Sequence, residues 1–199
     1  MKSPGGTVAG TKELADEISA ADKKKPVWSY CNDLCASAGY WGASHASKVF
    51  ANDMAMVGSI GTFMVINDYS QMFQDAGVKV HVIRAGDFKG SGTPGTEVTE
   101  EHLAEWQSKV DQLNSFFTAG VKKYRGFSAK QITDIADGRV HIVKSAVDLG
   151  LIDGVQSLDK TLAALSKQKH PTGATASVPE QVMTFPPITV PVFGRHSSY

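Results

Sequence analysis

The stretch CASAGYW, residues 35–41, places Ser37 between two alanines and just ahead of a glycine. Small residues allow close helix packing, and they also leave room for a substrate beside a nucleophilic hydroxyl. The stretch lacks the Gly-x-Ser-x-Gly elbow of α/β hydrolases. Ser37 begins a predicted helix, whose first backbone N–H groups have no partner within the helix and can stabilise an oxyanion. Taken alone, this stretch is explained more simply if Ser37 is a helix cap or a packing residue.

Apolar periodicity, punctuated by glycine and proline, predicts an α/β domain around this stretch. The helices are predicted over residues 8–25, 37–47, 69–77, 99–124, 144–150 and 157–168, with one more that begins at Ser128. The strands are predicted over residues 27–31, 48–51, 58–67, 78–86 and 139–142. We therefore predict one domain over residues 1–168. Residues 169–199 are rich in proline, threonine and serine, and this composition predicts a flexible tail or linker.

The overall composition excludes several kinds of partner. The 20 basic residues equal the 20 acidic ones, so net charge provides no attraction to nucleic acid. No apolar run approaches the roughly 20 residues of a membrane span. The two cysteines, Cys31 and Cys35, are predicted to be free thiols without a metal. We therefore expect no nucleic-acid partner, no membrane segment in this chain, no metal and no cofactor.

Two further motifs are compatible with ligand binding or catalysis, but neither is a specific signal by itself. The glycine pair in SPGG, residues 3–6, lets the backbone approach a ligand closely. Lys89 follows a predicted strand and lies between Gly86 and Gly90. A lysine amine can act as a base only when it is neutral, a form that desolvation favours. A plain turn and a solvated lysine are the simpler interpretations of each motif alone.

Taken together and in order, the motifs resemble the S49 family of serine peptidases, which comprises signal peptide peptidase A and its phage relatives. The resemblance covers roughly residues 3–165, and its motifs are SPGG (3–6), SAGYW (37–41), VGSIG (57–61), AGDFK (85–89) and the closing segment 136–155. It implies a ClpP/crotonase-like α/β fold and catalysis by a Ser/Lys dyad through an acyl-enzyme.

The resemblance also implies a role for each matching residue. Ser37 matches the nucleophile and Lys89 the general base, and Ser59 matches the hydroxyl that orients the lysine. Gly6 and Ala38 match the two amide donors of the oxyanion hole. Because the family forms homo-oligomeric rings, Lys89 can serve the Ser37 of its own subunit or that of a neighbour.

Within the family, the motifs look most like the phage capsid-assembly proteases. We therefore expect a polypeptide substrate, namely scaffold or capsid proteins, and a location in the host cytoplasm or the phage prohead. The alternative is a bacterial peptidase that degrades cleaved signal peptides, with membrane association if an anchor precedes this chain.

One departure from the family concerns the start of the chain. In the family a core strand runs directly into the Ser-Pro-Gly-Gly turn, whereas here only Met1 and Lys2 precede it. We therefore expect an N-terminally truncated fold with an exposed sheet edge and a loosened Gly6. A non-catalytic scaffolding remnant is the alternative that this departure favours. A crotonase-like acyl-CoA enzyme is a further alternative, although no glutamate lies near Ser37 in the sequence.

Overall fold

The computed structural model describes residues 1–168, where helices alternate with short and mostly parallel strands. The helices are α1 (Thr11–Asp22), α2 (Ala38–Ser44), α3 (Ser70–Asp75), α4 (Glu100–Arg125), α5 (Ala129–Ile135), α6 (Val143–Asp148) and α7 (Leu158–Leu165). The strands are β1 (Trp28–Cys31), β2 (Leu34–Ala36), β3 (Lys48–Ala51), β4 (Met56–Gly58), β5 (Val140–Ile142) and β6 (Gly154–Val155). This alternation confirms the predicted α/β class.

The strands form two small sheets. In the first sheet β3 lies between β1 and β6, and all three strands run parallel. In the second sheet β4 lies between β2 and β5, parallel to β2 and antiparallel to β5. The chain passes directly from β2 through Ser37 into α2, so the second sheet positions the candidate nucleophile.

Helix α2 lies at the centre of the molecule, where its small residues let neighbouring helices approach closely. Residues 39–44 are all buried. A Cβ on Gly42 would contact Ile18 at 3.6 Å, so the glycine lets α1 approach. On the other side, Trp41 stacks on Phe117 of α4, with ring centroids 4.8 Å apart. The small-residue stretch therefore serves close packing, as well as any chemistry.

The long helix α4 begins and ends as its sequence predicts. The Thr99 hydroxyl accepts the backbone N–H of His102 at 3.3 Å, and the Thr99 N–H donates to Nδ1 of His102 at 3.3 Å. Gly126 ends the helix at a φ of 70°. Ser128, where the sequence predicts that a helix begins, forms a capping box with Gln131 at the start of α5. Because caps depend on neighbouring residues, sequence alone predicts them well.

Two of the predicted strands are absent, and both predictions are wrong. Over residues 58–67 only Gly58 lies in a strand, and residues 78–86 contain none. Residues 62–98, which we call the arm, pair with neither sheet of the described chain. Asp68, near the start of the arm, connects it to the arm's last residue: its carboxylate accepts the N–H groups of Ser70 at 2.8 Å and Val98 at 3.0 Å. Alternating apolar residues favour a strand, but a strand forms only where a partner supplies hydrogen bonds.

The first three residues run beside the strand that leads to Ser37. Ser3 bridges Cys35 in parallel fashion: its N–H donates to the Leu34 carbonyl at 2.7 Å, and its own carbonyl accepts the Ala36 N–H at 3.0 Å. The Met1 carbonyl accepts the N–H of Asn32 at 3.0 Å. These bonds anchor Ser3 at the start of the Ser-Pro-Gly-Gly turn, whereas the expected loosening of Gly6 stays a prediction.

Two further predictions from the sequence concern a membrane span and the end of the domain at residue 168. Within residues 1–168, no helix is both long and apolar enough to cross a membrane. The predicted tail, residues 169–199, lies outside the described residues, so the proposed domain boundary stays a prediction.

Candidate active site

Ser37 has an unusual backbone conformation at the junction of β2 and α2. Its φ is 51° and its ψ is −125°. Its N–H donates to the Gly58 carbonyl at 2.8 Å, and its carbonyl accepts the Trp41 N–H at 2.9 Å. Within the described residues, Ser37 and Ser59 are the only non-glycine residues with positive φ. Such conformations cost about 1–3 kcal/mol each and cluster at functional sites. The family resemblance also implies a role for both residues.

The Ser-Pro-Gly-Gly turn packs directly against Ser37. Gly5 has a φ of 121°, and a Cβ there would lie 2.6 Å from the Ser37 Cβ and 3.0 Å from its Oγ. The Ser3 hydroxyl accepts the Gly5 N–H at 3.2 Å. A Cβ on Gly39 would lie 2.8 Å from the Ser3 Cβ, so this glycine lets the turn approach α2. Sequence reasoning selected Gly6 and missed Gly5, although the glycine pair was a signal for a close approach.

A small cleft opens beside Ser37. Its volume is about 80 Å³, and Gly6, Ser37 and Ala38 are among the residues that line it. The buried rings of Trp41 and Phe117 close its inner side. No residue of the described chain accepts a hydrogen bond from the N–H of Gly6 or Ala38. Two unpaired amide donors beside one serine hydroxyl can stabilise the oxyanion of an acyl-transfer reaction.

Ser59 is connected to this cleft by the backbone hydrogen bonds around it. Its N–H donates to the Arg139 carbonyl at 2.8 Å, and the preceding residue, Gly58, accepts the N–H of Ser37. The Ser59 side chain is half-buried but is not part of the cleft lining. The structure thus brings Gly6, Ser37, Ala38 and Ser59 into one region.

Lys89 lies apart from the other candidates. It is an exposed residue of the arm, and its N–H donates to the Gly86 carbonyl at 3.1 Å. Within residues 1–168 its ammonium group makes neither a hydrogen bond nor an ion pair, and it does not line the cleft. In a single chain, therefore, the proposed base does not reach the proposed nucleophile.

The other reactive side chains near α2 have structural surroundings. Cys31 and Cys35 are free and buried, as predicted. A hydrogen bond to Cys35, together with burial, raises the pKa of the Cys31 thiol. Burial lowers the pKa of His45, whose Nδ1 lies 2.9 Å from the Trp41 carbonyl oxygen. In the described region, no three potential metal-binding side chains come together. The thiols and the imidazole are therefore packed in the core and do not line the cleft.

Comparison with known proteins places this geometry in context. The model of the family described as "Peptidase family S49" matches residues 19–171. The capsid assembly protease C of Escherichia phage lambda is 34% identical over 153 residues, which cover 77% of this chain and 35% of the relative. A candidate signal peptide peptidase SppA of Enterococcus faecium is 29% identical over 176 residues, covering 88% of this chain and 51% of the relative.

A solved structure of a membrane-bound stomatin-specific protease is also similar, at 18% identity and a TM-score of 0.48, and the match covers 80% of this chain and 64% of the other. The chain spans about half or less of the length of these two curated relatives. The family match confirms the resemblance that the ordered motifs indicated.

Proposed function

The chain belongs to peptidase family S49, and from this premise we propose that it is a serine endopeptidase that processes scaffold or capsid proteins during phage head assembly. The observation that carries the proposal is the strained Ser37, held beside two unpaired backbone N–H groups at one cleft. The similarity to a phage capsid assembly protease supports the substrate class. The host cytoplasm or the prohead is the matching location.

In the proposed reaction, Ser37 Oγ adds to the scissile carbonyl carbon while the neutral amine of Lys89 takes the hydroxyl proton. The N–H groups of Gly6 and Ala38 bind the oxyanion of the tetrahedral intermediate. The lysine then returns the proton to the leaving amine as the C–N bond breaks, and an acyl-enzyme remains. Water, activated by the same lysine, hydrolyses that ester. Loss of one oxyanion donor typically costs about 3 kcal/mol of transition-state stabilisation.

We assign the partner of Ser37 to Lys89 of a neighbouring subunit in a homo-oligomeric ring. The support is the arm, which carries Lys89 on an exposed loop away from its own cleft. The arm also exposes large apolar side chains: Phe63 is 86% exposed and Ile83 is 96% exposed. A neighbouring subunit that covers this apolar surface would remove the lysine from water, which favours the neutral amine. Ser59 then orients that amine.

Degradation of cleaved signal peptides is the second candidate function. The similarity to the SppA protein of Enterococcus faecium favours it. The two functions use the same chemistry and differ only in substrate. Cleavage of a co-expressed scaffold protein but not of signal peptides supports head assembly, and the reverse result supports the alternative.

Two substitutions test the dyad. We expect Ser37→Ala to abolish proteolysis because the nucleophile is lost, and Lys89→Arg to abolish it because a guanidinium cannot give up its proton near neutral pH. The matched control is Lys79→Arg, which alters another exposed lysine of the arm and should leave activity unchanged. The measurement is cleavage of the scaffold protein or a casein substrate, with circular dichroism to confirm folding. Normal cleavage by folded Ser37→Ala would contradict the proposal.

A further inference from the structure

The size and the lining of the cleft beside Ser37 bear on the choice of substrate. We infer that it holds the side chain of the residue just before the scissile bond, here called the pre-scissile residue, and that it selects a small uncharged side chain between alanine and valine in size. This inference rests on the proposed function, since it assumes that Ser37 attacks a peptide carbonyl.

The position of the cleft assigns it to the pre-scissile residue. The attacked carbonyl carbon must lie at Ser37 Oγ, and its oxygen must face the N–H groups of Gly6 and Ala38. All three residues line the cleft. The pre-scissile Cα is bonded to that same carbonyl carbon, so its side chain is the nearest substrate group to the cleft. Side chains further along the substrate begin at least one peptide unit away.

The size of the cleft sets the upper limit. Its volume is about 80 Å³. An apolar cavity of about 150 Å³ accommodates a benzene ring. The cleft therefore has about half the space that an aromatic side chain requires, while one to three carbon atoms fit.

Tight packing at the inner side of the cleft opposes any increase in its depth. Trp41 and Phe117 are only 3% and 1% exposed, and their rings lie within 9° of parallel. Gly120, one turn after Phe117, brings the α4 backbone so close that a Cβ there would lie 3.0 Å from the Trp41 Nε1. Because α4 packs closely on this indole of α2, a larger substrate side chain would have to separate a packed ring pair. Trp41 and Phe117 are thus the residues that limit size.

The chemistry of the lining excludes charge. None of the residues around the cleft is charged. The three threonine hydroxyls of the lining already donate to carbonyls, from Thr7 to Ala9 at 3.4 Å, from Thr11 to Thr7 at 2.7 Å and from Thr62 to Val110 at 3.0 Å. A glutamate in the cleft would find no free hydroxyl proton among these threonines, and a lysine would find only neutral hydroxyl oxygens and no carboxylate. Either charge would therefore lose water without an opposite charge to replace it, which is costly.

The test uses the full chain and fluorogenic peptides that are identical except for Ala, Val, Leu, Phe, Glu or Lys before the scissile bond. Peptidyl phosphonate esters with the same residues measure acylation-like labelling of Ser37 by mass spectrometry. We expect kcat/KM and labelling rates for Ala and Val to exceed those for Phe, Glu and Lys about tenfold or more. In Phe117→Leu the preference should shift toward Leu about tenfold relative to Ala.

The matched control is Phe127→Leu, which shortens another buried phenylalanine that does not line the cleft. It should lose stability in the same way but keep the wild-type preference. Equal rates for Ala and Phe, or an unchanged ratio in folded Phe117→Leu, would overturn the size selection and leave the peptidase assignment intact. If no peptide is cleaved and no phosphonate labels Ser37, the proposed function falls, and this inference falls with it.

Discussion

Ser37 carries a side chain although its backbone conformation is one that favours glycine. At a φ of 51° the Cβ of any L residue crowds the backbone, so the fold maintains this conformation at an energetic cost. Two backbone hydrogen bonds of the residue itself, with Gly58 and with Trp41, hold it in place, and Ser3 pairs with the end of β2 just before it. A serine at this site is thus kept for a reason other than stability.

Replacing Ser37 with glycine should reveal that cost. We expect Ser37→Gly to be inactive, as Ser37→Ala is, but more stable than Ser37→Ala by about 1 kcal/mol because only glycine relieves the strain. In a domain of this size the melting temperature should rise by about 2–4 °C. The control pair is Ser115→Gly and Ser115→Ala in the middle of α4, where the glycine variant should be the less stable one. Equal melting temperatures for the two Ser37 variants would mean that the positive φ costs nothing.

The adjacent glycines of the turn should differ sharply in their tolerance. A Cβ on Gly5 would overlap the Ser37 side chain, whereas a Cβ on Gly6 would meet nothing within 4 Å. We expect Gly5→Ala to lower both stability and activity, and Gly6→Ala to retain the fold and, because the N–H is kept, most of the activity. Thermal melting and peptide cleavage of the two variants measure this contrast. The prediction fails if Gly5→Ala is as active as wild type.

Among the elements, α2 links the candidate site to the core at both of its ends. Ser37 precedes it, and His45 follows it and packs on Tyr124 with ring centroids 4.0 Å apart. His45 lies about two helical turns after Ser37 and therefore away from its hydroxyl. Packing contacts surround its ring, so its role is structural.

His45 should make the fold sensitive to mild acid. Burial lowers its pKa in the folded chain, whereas the unfolded chain has the ordinary value of about 6.5. Between these two values the unfolded state binds more protons, so the free energy of unfolding falls as the pH drops below about 6.5. We expect His45→Gln to lose this pH dependence. Denaturant titrations at pH 7.5, 6.5 and 5.5 measure it.

The matched control for the acid effect is His81→Gln. His81 is exposed on the arm, so this variant should keep the wild-type pH dependence. If His45→Gln loses as much stability as wild type between pH 7.5 and 5.5, another group is responsible.

At the scale of the whole molecule, the arm decides whether the site can work in one chain. It carries Lys89 and many of the exposed apolar side chains, and it has no strand partner among the described residues. Its apolar alternation therefore fits a surface that another subunit covers. If Lys89 is the base, as proposed, assembly is a condition for catalysis.

Mixing two inactive variants tests that condition. Ser37→Ala retains Lys89, and Lys89→Ala retains Ser37. If the dyad forms between neighbours in a head-to-tail ring, random co-assembly of equal amounts restores about a quarter of the sites. If the dyad forms within one subunit, no site is restored. The measurement is peptide cleavage after co-expression, with each variant alone as the control, and the absence of any restored activity would contradict the arrangement between subunits.

Sequence by itself determined the features that depend on neighbours along the chain. The starts of α4 at Thr99 and of α5 at Ser128 and each single motif, such as the one around Ser37, are local, so the residues that form each of them lie within a few positions of each other. The family resemblance followed from the same local motifs.

Tertiary structure alone decided the contacts between distant segments. It placed Gly5 rather than Gly6 against the Ser37 side chain, left the arm without strands, separated Lys89 from the cleft, and gave that cleft its small volume. The physical reason is that a strand needs hydrogen bonds from another segment, and a pocket takes its shape from helices far apart in sequence. Neither the partner nor the spacing is written in a local pattern.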